Sequence, residues 1–97
     1  MSQSYVNRTL RREVTWNIEM SWVGPPVFVS IFRVAADGTI GTRGLLGVPL
    51  APGTKKQPIR FVWSTRPGIV IPPGEGLRAV PDVTGKLTLD VLTSSWG

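Results

Sequence analysis

The chain predicts an all-β fold, an antiparallel two-sheet sandwich or jelly roll of about seven or eight short strands, on three observations. Val14 to Trp22 alternates without a break, with Val14, Trp16, Ile18, Met20 and Trp22 on one side and Thr15, Asn17, Glu19 and Ser21 on the other. A period of two belongs to a strand with one buried and one wet face. No stretch of the chain has comparable helical periodicity. Nine prolines and eleven glycines punctuate the 97 residues and separate short apolar runs, which is the texture of a sandwich or barrel rather than of a helical bundle. A small closed barrel is the alternative architecture.

Residues 1–12 read as an N-terminal arm with a short strand at Tyr5 to Leu10, and residues 13–97 as a single domain. Arms of this kind lie on a neighbouring subunit or fray. Val14 to Trp22 is the clearest strand. Gly24-Pro25-Pro26 stops it, because proline has no ladder donor and restricts the residue before it. Val27 to Ala35 is apolar on both faces apart from Ser30 and Arg33, which predicts a strand that is central or covered on both sides. Asp37-Gly38 then predicts a tight hairpin of type I′. Gly41, Gly44 and Gly47 recur at every third position, too few and without proline for collagen, so they predict bulges or a closely approached backbone. Val48 to Pro58 reads mostly as loop and Ile59 to Ser64 as a strand. Thr65-Arg66-Pro67-Gly68 reads as a type II turn, and Ile69 to Ile71 as a further strand. A turn at Pro72 to Gly76, a strand at Leu77 to Val80 and a last alternating strand at Lys86 to Thr93 complete the pass. The pattern of an apolar residue, a Pro-Gly turn and a strand with arginine second occurs twice, at Leu50–Val62 and Ile71–Val80, as one structural solution used again.

The totals bound the function. Hydrophobic residues make up 41% and charged residues 18%, which argues against disorder. A chain of this size buries roughly 65% of the surface its unfolded form exposes. With no cysteine, neither a disulfide nor a thiolate metal site assists it. Four tryptophans and three phenylalanines must therefore carry much of the burial, and any that a small core does not absorb face a partner. The net charge of +5 points to anionic partners, namely nucleic acid, acidic protein surfaces or anionic lipid. No signal peptide and no membrane-length apolar run is present, which predicts a protein made in a host cytoplasm, not secreted, with no membrane partner.

Chemistry is excluded more than it is indicated. Histidine and cysteine are both absent, which removes the usual general base, the commonest metal ligand and the best nucleophile. The carboxylates Glu13, Glu19, Asp37, Glu75, Asp82 and Asp90 read as solvated faces or turn residues, and none has metal-site spacing. The expectation is no enzyme, no catalytic residue, no cofactor and no metal. The candidate residues are partner contacts instead: the arm cluster Arg8, Arg11 and Arg12, the loop pair Lys55 and Lys56, and Trp96, a suitable anchor for a neighbour's pocket. A nucleic-acid-binding small β-barrel would use the same basic residues. Arg60, Phe61 and Trp63 are adjacent, but alternation places both aromatics on the core face. A carbohydrate-binding or adhesion module, built on exposed tryptophan platforms, is the second alternative.

Val70-Ile71-Pro72-Pro73-Gly74-Glu75-Gly76-Leu77-Arg78-Ala79-Val80, followed by Gly85-Lys86-Leu87-Thr88-Leu89-Asp90-Val91, resembles the C-terminal half of small β-sandwich virion proteins of tailed bacteriophages. In both, an apolar strand runs into a Pro-Gly turn, a Leu-Arg-Ala strand, a glycine turn and a final alternating strand. The likeness spans about a quarter of the chain. It implies a structural protein of the virion, a capsid decoration or other small assembly component. It further implies a homo-oligomer, a trimer or larger ring, bound to a larger protein shell such as a major capsid protein.

Overall fold

The computed structural model describes residues 3–96, without side-chain surroundings for 43, 66 and 93–96. Seven strands form two antiparallel sheets: β1 (Gln3–Val6), β2 (Glu13–Val23), β3 (Val27–Val34), β4 (Ile40–Leu50), β5 (Ile59–Ile71), β6 (Gly76–Pro81) and β7 (Lys86–Trp96). One sheet has the order β1-β6-β3-β4 and the other β5-β2-β7. Of the six connections, only β3 to β4 stays within a sheet, and the other five cross between sheets. That winding is a jelly roll, with seven of the usual eight strands.

The core lies between the sheets. Ile18, Met20 and Trp22 of β2 and Leu87 of β7 face Val27, Val29 and Ile31 of β3 and Leu77 and Ala79 of β6. Full burial of each large aliphatic among them is worth about 2 kcal/mol. The Trp22 ring is completely buried, and its Nε1 donates to the Pro25 carbonyl at 2.8 Å, so its one polar atom is satisfied.

The alternation of β2 holds at Ile18, Met20 and Trp22 but not before them. Trp16 is an extra residue between Thr15 and Asn17 in the pairing with both β5 and β7. A bulge of one residue inverts the faces. Glu13 and Thr15 therefore turn inward and are buried, whereas Trp16 is 39% exposed. This corrects two expectations: Trp16 is not on the core face, and Glu13 is not solvated. The threonines around the bulge replace lost ladder bonds. Thr15 Oγ1 lies 2.8 Å from the Leu92 carbonyl and 3.0 Å from that of Asn17, and Thr65 Oγ1 donates to the Thr15 carbonyl at 3.1 Å.

Opposite Trp16, the expected Pro67-Gly68 turn is also corrected. Ser64 pairs with Asn17 and Ile69 with Thr15, so Thr65–Gly68 bulges within one continuous β5. Gly68 does not adopt the positive φ a type II turn needs. A Cβ there would sit 2.7 Å from Val14 Cγ1 and 3.1 Å from the Trp16 ring, so its role is to let Trp16 lie flat. The type II turn occurs instead at Pro72–Glu75, where Gly74 has φ 82° and Glu75 N donates to Pro72 O at 3.1 Å.

The β3–β4 hairpin differs from a type I′ turn. Ala35 N donates to Thr39 O and Gly38 N to Ala35 O, both at 2.9 Å, and only Gly38 has positive φ (90°). This is a three-residue loop, a type I turn closed by a glycine bulge. β4 continues to Leu50, so Val48 to Leu50, expected as loop, belong to an edge strand where Pro49 is tolerated. β3 is central, the first of the two alternatives its composition predicts, and Phe28 on its outer face is 46% exposed. The glycine spacing in β4 does mark close approach. A Cβ on Gly47 would lie 2.7 Å from Phe28 Cζ, and the Phe32 ring passes Gly44.

Candidate interaction surfaces

The sandwich has two ends. At one lie the β1–β2 loop, the β3–β4 hairpin and the β5–β6 turn; at the other lie the β2–β3, β4–β5 and β6–β7 loops. Arg8, Arg11 and Arg12 occupy the first end, and all three are exposed. Lys55 and Lys56 are exposed at the second. The predicted contact residues thus form two separate basic sites. The backbone of Trp96 pairs with Glu13 at the first end, near the arginines; its side chain lies outside the described residues.

The expected strand at Tyr5 to Leu10 is shorter and earlier, and residues 7–12 form a tight loop rather than a loose arm. Asn7 is completely buried and organises the loop. Its Nδ2 donates to the carbonyls of Arg11 and Ile71, each at 2.8 Å. Its Oδ1 accepts from Thr9 N at 3.0 Å and Thr9 Oγ1 at 2.7 Å. Its backbone pairs with the β5–β6 turn through Glu75 O and Gly74 N, both at 2.8 Å. The result is a hydrogen-bonded platform on which Leu10 is 96% exposed and Arg8, Arg11 and Arg12 are exposed as well. Beneath it, Glu13 accepts a hydrogen bond from the Tyr5 hydroxyl.

The outer face of the three-stranded sheet is divided. Towards the loop platform it is apolar, with Trp16 39%, Val70 37% and Leu92 46% exposed, and Val62, 52% exposed, lies at the border beside Glu19. Towards the other end it is polar. Glu19 lies directly opposite Asp90 on β7, Arg60 Nη2 reaches Glu19 Oε1 at 3.2 Å, and Ser21 and Thr88 share a hydroxyl hydrogen bond. These side chains line an open groove with Pro58. The ion pair is well exposed and contributes little to stability. Such a groove can recognise a polar surface. Phe61 and Trp63 pack against the core from the inner face, as alternation predicts, so basic and aromatic side chains do not interleave there.

Sequence reasoning missed the Trp16 patch and the isolated Leu10. The bulge is hidden because Val14 to Trp22 alternates perfectly through it, and Leu10 carries no pattern. Among the described residues no three acidic side chains gather where they could hold a metal ion, and no helix is long and apolar enough to cross a membrane. Comparison with family models, with curated proteins and with solved structures finds no match for this chain.

Proposed function

We propose that this chain is a non-enzymatic structural protein of a virion, a capsid decoration or other small assembly component that acts through protein–protein contacts. The observation that carries the reading is the hydrogen-bonded loop that presents Leu10 in full solvent and also carries three exposed arginines. A large apolar side chain held wholly in solvent on a loop that also carries three exposed arginines has little use to an isolated molecule. It fits an apolar pocket with an acidic rim on a larger protein shell. The exposed half-face around Trp16, at the same end of the sandwich, extends the apolar contact area. The jelly-roll winding and the likeness of residues 70–91 to small phage virion proteins support the same reading.

The direct test is mass spectrometry of purified particles from the virus that encodes the chain; its absence from them overturns the proposal. At the level of residues, Leu10→Asp is expected to leave the melting temperature unchanged and to reduce particle occupancy at least about tenfold, the loss of one buried anchor. Arg11→Ala with Arg12→Ala is expected to weaken binding chiefly at low salt. Occupancy unaltered by both variants would place the contact elsewhere. A nucleic-acid role would instead show as DNA affinity that falls steeply with salt and depends on the arginines.

A further inference from the structure

We infer that the open edge of β7 pairs with β7 of a second copy of this chain, antiparallel about a two-fold axis centred on Thr88. The inference starts from a comparison of the four sheet edges. β1 is only four residues long. β4 carries Pro49 and breaks of register. β5 carries Pro67 and the four-residue bulge opposite Trp16. Shortness, proline and bulges are the devices that stop one sheet from adding to another. β7 is the least protected: it spans eleven residues without proline or glycine, and its one break of register, at Ser94, lies beyond the segment Lys86–Leu92, which pairs regularly. Among the described residues only β2 pairs with it, so its other edge presents unpaired backbone groups. This is also the edge at which an eight-stranded jelly roll carries one more strand. An open groove between Gln3 of β1 and residues 85–88 lies beside it.

The charges select the occupant and the register. Lys86, Thr88 and Asp90 share the exposed face of β7, and Leu87 and Leu89 the inner face. An antiparallel copy centred on Thr88 sets each Lys86 opposite the partner's Asp90 and each Leu87 opposite the partner's Leu89. Centring on Asp90 would oppose two carboxylates, and centring on Leu89 would leave Lys86 facing Leu92. Asp90 has a reason to seek a cation. It faces Glu19 across β2, the Arg60 guanidinium is engaged by Glu19, and among the described residues no cation pairs with Asp90. The partner lysine completes the row, and the two three-stranded sheets become one of six. Two-fold pairing of this kind closes on itself and leaves no further open β7 edge.

The inference does not rest on the virion role. A monomer found on particles would sink the pairing alone, and a dimer absent from particles would sink the role alone. The test is charge exchange read by sedimentation equilibrium at low salt. The unaltered chain is expected to dimerise. Lys86→Asp opposes two pairs of carboxylates and Asp90→Lys two pairs of ammonium groups, and each is expected to weaken the dimer about tenfold or more. An equimolar mixture of the two variants restores both ion pairs and is expected to recover a dimer of mixed composition. Circular dichroism and a melting curve for each variant confirm that it is folded. An unaltered chain that stays monomeric, an oligomer indifferent to both substitutions, or variants that fail to associate on mixing would each overturn the inference.

Discussion

Thr15 shows how much one inward-facing hydroxyl can do. It sits at the bulge in β2, within hydrogen-bonding distance of the carbonyls of Asn17 and Leu92. Thr15→Val keeps the shape and removes the bonds, so it strands buried acceptors and is expected to cost about 1–3 kcal/mol in urea unfolding. An unchanged midpoint would mean that the bulge is held by packing alone. Asp37 makes a smaller, pH-dependent contribution. The backbone N–H of Thr39, and then its hydroxyl, hold the Asp37 carboxyl below its ordinary value of 3.8. A carboxyl depressed in the folded state stabilises above its unfolded pKa, and that contribution is lost as pH falls through the folded one. Below about pH 4 the unaltered chain should therefore lose a component of stability that Asp37→Asn lacks, and thermal melts of both across pH 2–6 read the difference.

At the scale of elements, the same dipeptide has two outcomes. Pro73-Gly74 makes a type II turn and Pro67-Gly68 does not. The difference is tertiary. Residues 65–68 lie opposite Trp16, whose ring occupies the space above Gly68, whereas the Pro72–Glu75 turn is bonded to Asn7 at an open end of the sandwich. Local sequence can propose a turn, but neighbours decide whether the chain reverses. Strand identity was legible wherever alternation was uninterrupted, as at Ile18 to Trp22 and Leu87 to Val91. The inversion at Trp16 was not, since an inserted residue that is itself apolar leaves the pattern intact. The basic candidates were legible as surface; their division between two ends depends on register, which no local signal carries. β1 offers a further test. A Cβ on Gly76 would collide with the Tyr5 carbonyl, a backbone atom that cannot swing aside. Gly76→Ala is thus expected to loosen β1 and lower stability by about 2 kcal/mol, with faster amide exchange at Gln3–Val6 than elsewhere.

For the molecule as a whole, polar groups are settled inside and apolar ones are left outside. Every described buried side-chain nitrogen and oxygen has a hydrogen-bond partner, including those of Asn7, Glu13, Thr15 and Thr65. The exposed apolar side chains Leu10, Trp16 and Leu92 lie towards the end that bears the arginines. A domain so completely satisfied within, yet with large apolar side chains left in solvent, is built to be covered by something else.

The winding of the chain has a kinetic consequence. β2 is the middle strand of its sheet, yet both of its neighbours, β5 and β7, come much later in the sequence. A ribosome therefore releases β2 long before either companion exists, and only the β3–β4 hairpin can form early. Refolding followed by tryptophan fluorescence should be slow, in the millisecond-to-second range of non-local β topologies. A chain cut after Thr84 should have no native circular dichroism, because the strand that seals the second sheet is the last to emerge.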